Sequence, residues 1–100
     1  MHMNVDVEIY LSQLLKFFRD NPKDLNNLVP QNREEEFFER CREACYQNHE
    51  KGEEISLTKK QMIDICVDIN KNEPKENQAM KVQYVQGLFM KTKFGMICLN

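Results

Sequence analysis

Hydrophobic and polar positions alternate with the period of an α-helix through the first part of the chain. The segment VDVEIYLSQLLKFFRD places apolar side chains three or four residues apart, at Val7, Tyr10, Leu11, Leu14, Phe17 and Phe18. A stripe of this period predicts a helix that buries one face. Asn4 or Asp6 can cap its first turn. The RDNP sequence is expected to end it, because a residue that precedes proline is pushed out of the helical region.

A second and a third helix are predicted to follow. Pro22 is a favourable first helical residue, and the second helix can run for about two turns before Pro30 stops it. The third helix is predicted to begin at the NREE sequence, where Asn32 and Glu35 form a variant of the capping box. Gly52 is its natural end, since glycine readily takes the left-handed conformation that closes many helices.

The TKKQ sequence predicts a fourth helix. Thr58 and Gln61 have the spacing of a second capping box. The apolar positions that follow have helical spacing and are predicted to be buried, at Met62, Ile65, Cys66 and Ile69. The polar NKNEPKENQ sequence comes next, contains Pro74 and lacks a period, and therefore predicts a loop.

The pattern becomes strand-like after residue 79. Met80, Val82 and Tyr84 alternate with more polar positions, as in a strand with one buried face. The LFMKTKFGMICL sequence predicts a β-hairpin with Gly95 in its tight turn. The predicted fold class is therefore α+β, mainly α, with about four helices and a C-terminal β-hairpin.

Length and composition indicate one small globular domain over residues 3–100. The chain has 100 residues, 41% of them hydrophobic and 30% charged, as in ordinary globular proteins. Met1 and His2 are interpreted as a cloning scar. No apolar run approaches the roughly 18 to 20 residues of a membrane span. Without such a run or a leader, we expect a cytoplasmic protein that does not contact a membrane.

Charge is distributed unevenly along the chain. The formal net charge is −2, which gives no reason to expect nucleic acid as a partner. All sixteen acidic residues lie at or before Glu76, whereas the remainder carries Lys81, Lys91 and Lys93. A basic hairpin can lie across the acidic helical body or across a partner. We favour the simpler interpretation, that these lysines protect sheet edges from association.

Apolar side chains are concentrated between residues 80 and 99, in the region of the predicted hairpin. Four small helices cannot cover both faces of this hairpin, and exposed apolar surface of this kind marks interfaces. We therefore predict a protein partner, with a homodimer as the simplest arrangement, since one surface then serves both subunits. The residues expected to make the contact are Tyr84, Phe89, Lys91, Lys93 and Phe94, with the first two as anchors.

The CREACYQNH sequence contains a candidate metal site. Cys41, Cys45 and His49 are four residues apart and share one side of a helix. Zinc takes about four ligands, and Cys66 or Cys98 can supply the fourth. We instead interpret the two helical cysteines as packing residues, because they continue an apolar stripe, and we predict no bound metal or cofactor.

Catalysis has weak support in the sequence. Cys45 lies one helical turn from His49, but a buried thiol has a raised pKa and is inert. The chain has no glycine-rich phosphate loop and no serine elbow. Acid pairs such as Asp64 and Asp68 fit a solvated surface. We therefore predict that the protein is not an enzyme.

The predicted order of helix, turn, helix and hairpin also occurs in winged-helix DNA-binding proteins. The TKKQMIDICVDIN segment would be the recognition helix, with Lys59, Lys60 and Gln61 at its start. Asp64 and Asp68 follow on the same helix, and acids that face phosphates weaken binding. DNA binding therefore remains the alternative function, and a zinc-dependent structural module the third.

Three pieces of the chain resemble small uncharacterised proteins of marine bacteriophages. They are EIYLSQLLKFFRDNPKDLNNLVP, EKGEEISLTKKQMIDICVDIN and the ending KTKFGMICLN. The resemblance implies a phage accessory or host-modulating protein that acts in the cytoplasm of a bacterial host by binding host or virion proteins. Together with the missing catalytic motifs, it leads us to predict a non-enzymatic protein–protein interaction module.

Overall fold

Helices make up the part of the chain that the structure describes. The structure is a computed structural model that describes residues 3–92, with side chains described through residue 90. The elements are α1 (Val5–Asp20), α2 (Pro22–Leu28), a 3₁₀ helix (Gln31–Arg33), α3 (Glu34–Glu50), α4 (Lys59–Ile69) and α5 (Lys75–Thr92). Over residues 3–92 the fold is therefore all-α, and the predicted α+β class is wrong for this range.

Two helix starts follow the sequence rules. The Asn4 side chain caps α1, because its Oδ1 accepts a hydrogen bond from the Val7 amide at 3.1 Å. At the start of α4, Thr58 Oγ1 accepts from the Gln61 amide at 3.0 Å, and Gln61 Oε1 accepts from the Thr58 amide at 3.1 Å. The predicted capping box is confirmed. Gly52 is also confirmed after α3, with a φ of 72°.

The predicted start of α3 is wrong in detail. No side chain caps this helix, which begins at Glu34 directly after the 3₁₀ turn. Arg33 takes over the role of an anchor there. Its guanidinium pairs with Glu36 at 2.8 Å and donates to the main-chain carbonyl of Ile69, so the start of α3 is held by the end of α4.

Residues 70–74 form the first part of the predicted loop, whereas α5 replaces the rest of that loop and the predicted strands up to residue 92. Pro74 immediately precedes this helix, and its carbonyl accepts from the amides of Asn77 and Gln78 at 3.0 and 3.2 Å. Val85 and Leu88 are buried three residues apart, as a helix requires. The alternation over a few residues fitted a strand, but the longer run of 18 residues forms a helix. Gly95, the predicted turn residue, lies outside the described residues.

One core holds the helices together. Its largest fully buried members are Tyr10, Phe18, Phe37, Leu14, Leu28, Leu57, Met62, Ile69, Val7, Val29 and Val85. The rings of Phe18 and Phe37 meet edge to face with centroids 5.7 Å apart, a favourable geometry for aromatic pairs.

Helices α1 and α3 lie antiparallel on one side of this core. Glu8, near the start of α1, pairs with Arg42 in the middle of α3. Phe18, near the end of α1, contacts Phe37 near the start of α3. The outer sides of both helices therefore form one continuous surface. Within residues 3–92, no helix combines the length and apolar character needed to cross a membrane.

Candidate functional site

A concave apolar surface lies on the outer side of α1. Met3, Val5 and Ile9 are 72%, 70% and 50% exposed. They line a cavity of about 470 Å³, together with polar neighbours that include Ser12 and Lys16. We name the three exposed apolar residues the α1 patch. Leaving such side chains in water is unfavourable by about 25 cal/mol per Å² of apolar area, so a cluster of them marks a surface that a partner can bury.

The α1 patch arises because α1 carries two apolar stripes. One stripe is fully buried in the core and consists of Val7, Tyr10, Leu14 and Phe18. The other is short and consists of Val5 and Ile9, which are one turn apart and face solvent. Residues four apart share one side of a helix. The second stripe therefore cannot turn toward the core without exposing the first.

A groove between α1 and α3 adjoins the α1 patch. Its apolar floor consists of the partly buried side chains of Leu11, Leu15 and Phe38. The groove encloses about 310 Å³ and shares Glu8 and Ser12 with the cavity over the α1 patch. We name it the α1–α3 groove. The α1 patch and the α1–α3 groove adjoin along α1 and together form one continuous surface.

A network of polar side chains fixes one end of this surface. Both Nη atoms of Arg42 donate to the Glu8 carboxylate, at 3.0 and 2.6 Å, and the Tyr46 hydroxyl donates to the same carboxylate. The hydrogen bond from Tyr46 lowers the pKa of Glu8, and Arg42 lowers it further. The amide of Asn4 donates to the Tyr46 oxygen at 3.2 Å. The first turn of α1 is thereby tied to α3 through an ionised carboxylate.

The candidate metal residues fall into different environments. Cys41 and Cys45 are fully buried, whereas His49 is exposed and its Nε2 lies 3.1 Å from Asn4 Nδ2. Burial raises the pKa of Cys41, with a smaller contribution from the nearby Cys66, whose own pKa is raised by burial to about 12. Protonated thiols are poor metal ligands.

Metal-ligand clusters are absent from the part of the chain that the structure describes. No group of three or more His, Cys, Asp or Glu side chains is placed there to hold an ion. Cys98, proposed as a fourth ligand, lies beyond that part. Cys41 and Cys45 of the candidate metal site are therefore core residues.

The predicted interaction residues are only partly within the described chain. Tyr84 is half-buried and its hydroxyl donates to the Asp24 carboxylate in α2; burial, followed by this bond, raises its pKa. Phe89 is half-buried against the core. The side chain of Lys91, together with Lys93 and Phe94, lies outside the described residues. Tyr84 thus makes a contact within its own chain, and a role in partner binding stays a prediction.

Sequence reasoning did not single out the α1 patch. The signal was present, because Val5 and Ile9 are apolar positions that fall off the stripe formed by the other apolar residues of α1. The α1–α3 groove had no comparable local signal. Its walls meet through contacts between residues far apart in the sequence, such as the Glu8–Arg42 ion pair and the Phe18–Phe37 ring contact.

Residues 3–92 lack part of the architecture that the winged-helix alternative requires. The first strand of the proposed wing falls within α5. In the proposed recognition helix, Lys60 pairs with Asp64 at 2.8 Å, and Asp68 pairs with Arg40 of α3. Lys60, one of the basic side chains that would face a phosphate, therefore already forms an ion pair with an acid of its own helix.

Comparison with known proteins leaves the surface itself as the guide to function. The chain matches no protein-family model, no curated protein and no solved structure. The α1 patch and the α1–α3 groove are therefore the features that indicate a function.

Proposed function

We propose that the protein is a non-enzymatic interaction module that binds another protein through the α1 patch and the adjoining α1–α3 groove. The exposure of Met3, Val5 and Ile9 on one side of α1 carries this proposal. Burying an aliphatic side chain fully is worth about 1.5–3 kcal/mol. A partner that covers this surface therefore gains binding free energy from side chains that contribute little to the stability of the free chain.

The chemistry around the surface supports binding more than catalysis. Glu8, the acid that lines the cavity over the α1 patch, accepts hydrogen bonds from Arg42 and Tyr46. A general base needs a carboxylate that is free to take a proton from a substrate. Here the carboxylate is held by two protein groups and secures α1 to α3. The resemblance to phage proteins supports a host or virion protein as the partner, in the cytoplasm of a bacterial cell.

Site-specific photocrosslinking tests the proposal. A photoreactive phenylalanine analogue is placed at Ile9 and, as a control, at Glu54, an exposed position in the loop after α3 that lies outside both proposed binding surfaces. We expect a discrete cross-linked protein in bacterial cells from position 9 only. The cross-linked protein is then purified and its affinity measured against the native chain and a Val5→Asp/Ile9→Asp variant. We expect a loss of tenfold or more. Equal cross-linking from both positions, or unchanged affinity, contradicts the proposal.

Helix α5 supports a second partner, another copy of the chain. Met80 and Met90 are 64% and 82% exposed. Gly87 lies between them along the same side of the helix, and a Cβ added there would meet no heavy atom within 4 Å. A second α5 can therefore approach closely at this glycine while covering both methionines. We propose a homodimer on this side of α5 as the second candidate, in the region where the sequence predicted one.

Sedimentation equilibrium separates this dimer from the first proposal. We expect twice the chain mass of 12.0 kDa at micromolar concentration. Met90→Glu should return the protein to a monomer, whereas Ile9→Glu should leave the dimer intact. A 12.0 kDa species at all concentrations, or equal effects of the two variants, contradicts a dimer built on α5.

A further inference from the structure

The α1–α3 groove continues beyond its first cavity. A second cavity of about 240 Å³ shares Leu15 and Phe38 with it and extends to Pro22 and Leu25. The groove thus follows α1 from Glu8 to the start of α2. At a rise of 1.5 Å per residue this path is about 21 Å long, the length of about four helical turns.

The floor of the groove has the spacing that an α-helix recognises. Leu11 and Leu15 are one turn apart on α1, and Phe38 faces them from α3. Two packed helices present ridges and a groove into which a third helix fits. Helices that bind in such grooves use apolar side chains at positions i, i+3 or i+4, and i+7. The shape and length therefore fit one face of an amphipathic helix of three to four turns.

The α3 side of the groove carries a row of carboxylates. Glu35 and Glu39 line the groove, and Glu43 continues the same row one turn further along α3; all three are exposed. Arg42, which also lines the groove, is paired with Glu8. Within residues 3–90 none of the three forms an ion pair, whereas the neighbouring Glu36 is paired with Arg33 and Arg40. Three carboxylates beside an apolar floor attract cations and disfavour phosphate or anionic lipid. This row gives the groove an acidic rim along one side.

We propose that the partner segment in this groove is a cationic amphipathic helix. Its apolar stripe lies on Leu11, Leu15 and Phe38, and its Lys or Arg side chains, one per turn, lie along the acidic rim of α3. This inference rests on the proposed function, because it specifies what binds the same surface. The one-sided rim also sets the rotation of the bound helix, since its basic flank must face α3.

A synthetic peptide provides a direct probe. The peptide has 16 residues, with leucine at helical i, i+4, i+7 and i+11 positions, lysine on one flank and glutamine elsewhere. The control peptide carries glutamate in place of lysine. Fluorescence anisotropy with the full chain should give at least tenfold tighter binding for the lysine peptide. Its affinity should also fall as salt rises, because exposed charge pairs are screened.

Variants locate the binding on the groove. Glu35→Gln/Glu39→Gln should weaken the lysine peptide about fivefold, because it removes two exposed ion pairs that each contribute modestly. Glu53→Gln/Glu54→Gln removes the same charge from exposed positions in the loop after α3 and should change nothing. Leu15→Gln should weaken the lysine peptide at both low and high salt, because it removes part of the apolar floor. Circular dichroism checks that the variant keeps its helicity.

Two outcomes overturn the inference. One is equal affinity for the lysine and glutamate peptides. The other is an equal loss of affinity in the groove variant and the loop variant, since binding would then follow net charge alone. In either case, a cross-link from Ile9 that the Val5→Asp/Ile9→Asp variant abolishes would leave the proposed function standing, with a partner of different chemistry.

Discussion

Helices α1 and α5 have similar lengths, 16 and 18 residues, but use their apolar side chains differently. Helix α1 buries a full stripe in the core and carries a second apolar stripe on its outer side. Within residues 75–90 of α5, only Val85 and Leu88 are buried. Helix α5 shows that strong amphipathic patterning is not required for a helix in this fold. Helix α1 shows that apolar residues beyond those needed by the core are available for binding.

Side-chain hydrogen bonds to α2 add to the packing of α5. Lys81 Nζ donates to the main-chain carbonyl of Asn27 at 2.8 Å, and the Tyr84 hydroxyl donates to Asp24. Both partners belong to α2. Helix α5 is thus positioned by side-chain hydrogen bonds to a neighbouring helix, in addition to its few core residues, whereas α1 is positioned mainly by burial.

The largest expected effect separates the two stripes of α1. Leu14→Ala removes a side chain that is 1% exposed and should lower the free energy of unfolding by about 2–5 kcal/mol. Ile9→Ala, on the same helix but in the α1 patch, should change it by less than about 0.5 kcal/mol. Urea denaturation followed by circular dichroism measures both. Similar losses of unfolding free energy in the two variants would show that the α1 patch stabilises the fold and is not a surface available to a partner.

The polar attachment of α5 predicts the next largest effect. Tyr84→Phe removes the hydroxyl that donates to Asp24 and keeps the ring, so it should cost about 1 kcal/mol. Tyr84→Phe in an Asp24→Asn background should cost less, since the charge that strengthens the bond is absent. The same denaturation measurement applies. A loss that is equal in both backgrounds would mean that the ring environment, rather than the bond to α2, accounts for the effect.

The comparison of α1 with α5 also explains what could be predicted from the sequence. The stripe and the Asn4 cap of α1 are local signals, as is the capping box at Thr58, and all three are confirmed. In α5 the alternation of Met80, Val82 and Tyr84 fitted a strand over a short window. Two of the contacts that α5 makes as a helix join residues 54 and 60 positions apart, and no local pattern contains them.

The candidate site follows the same rule. Val5 and Ile9 could have been recognised as a second stripe, because the buried stripe of α1 was already complete without them. The α1–α3 groove and its acidic rim could not, since they depend on the antiparallel pairing of two helices. The glutamates of α3 were visible, but their alignment beside Leu11 and Leu15 is a tertiary feature.

Gly87 provides a smaller test of α5. It lies inside the helix, and an added Cβ would meet no heavy atom within 4 Å. Gly87→Ala should therefore stabilise the free chain by about 0.5–1 kcal/mol, because alanine loses less backbone entropy than glycine in a helix. The thermal midpoint should rise. If the thermal midpoint of Gly87→Ala instead falls, by an amount that depends on protein concentration, a second copy packs against this glycine. That result would support the dimer on α5.

The smallest effect concerns the pH dependence of the link between α1 and α3. The hydrogen bond from Tyr46, together with Arg42, lowers the pKa of Glu8 in the folded chain below its ordinary value of 4.5. A lowered pKa contributes stability above the unfolded-state value, and that contribution is lost as the pH falls through the folded-state value. The native protein should therefore lose stability on acidification below about pH 5 more steeply than Glu8→Gln.

Tyr46→Phe provides the control for this prediction. It removes the largest cause of the lowered pKa but leaves the carboxylate and Arg42 in place, so its acid dependence should fall between those of the native chain and Glu8→Gln. In the double variant the tyrosine change should have no further effect on the slope, because the titrating group is gone. Urea midpoints measured from pH 3 to pH 7 give the four slopes. If Glu8→Gln keeps the native slope, other carboxylates govern the acid response and the link between α1 and α3 does not depend on the charge of Glu8.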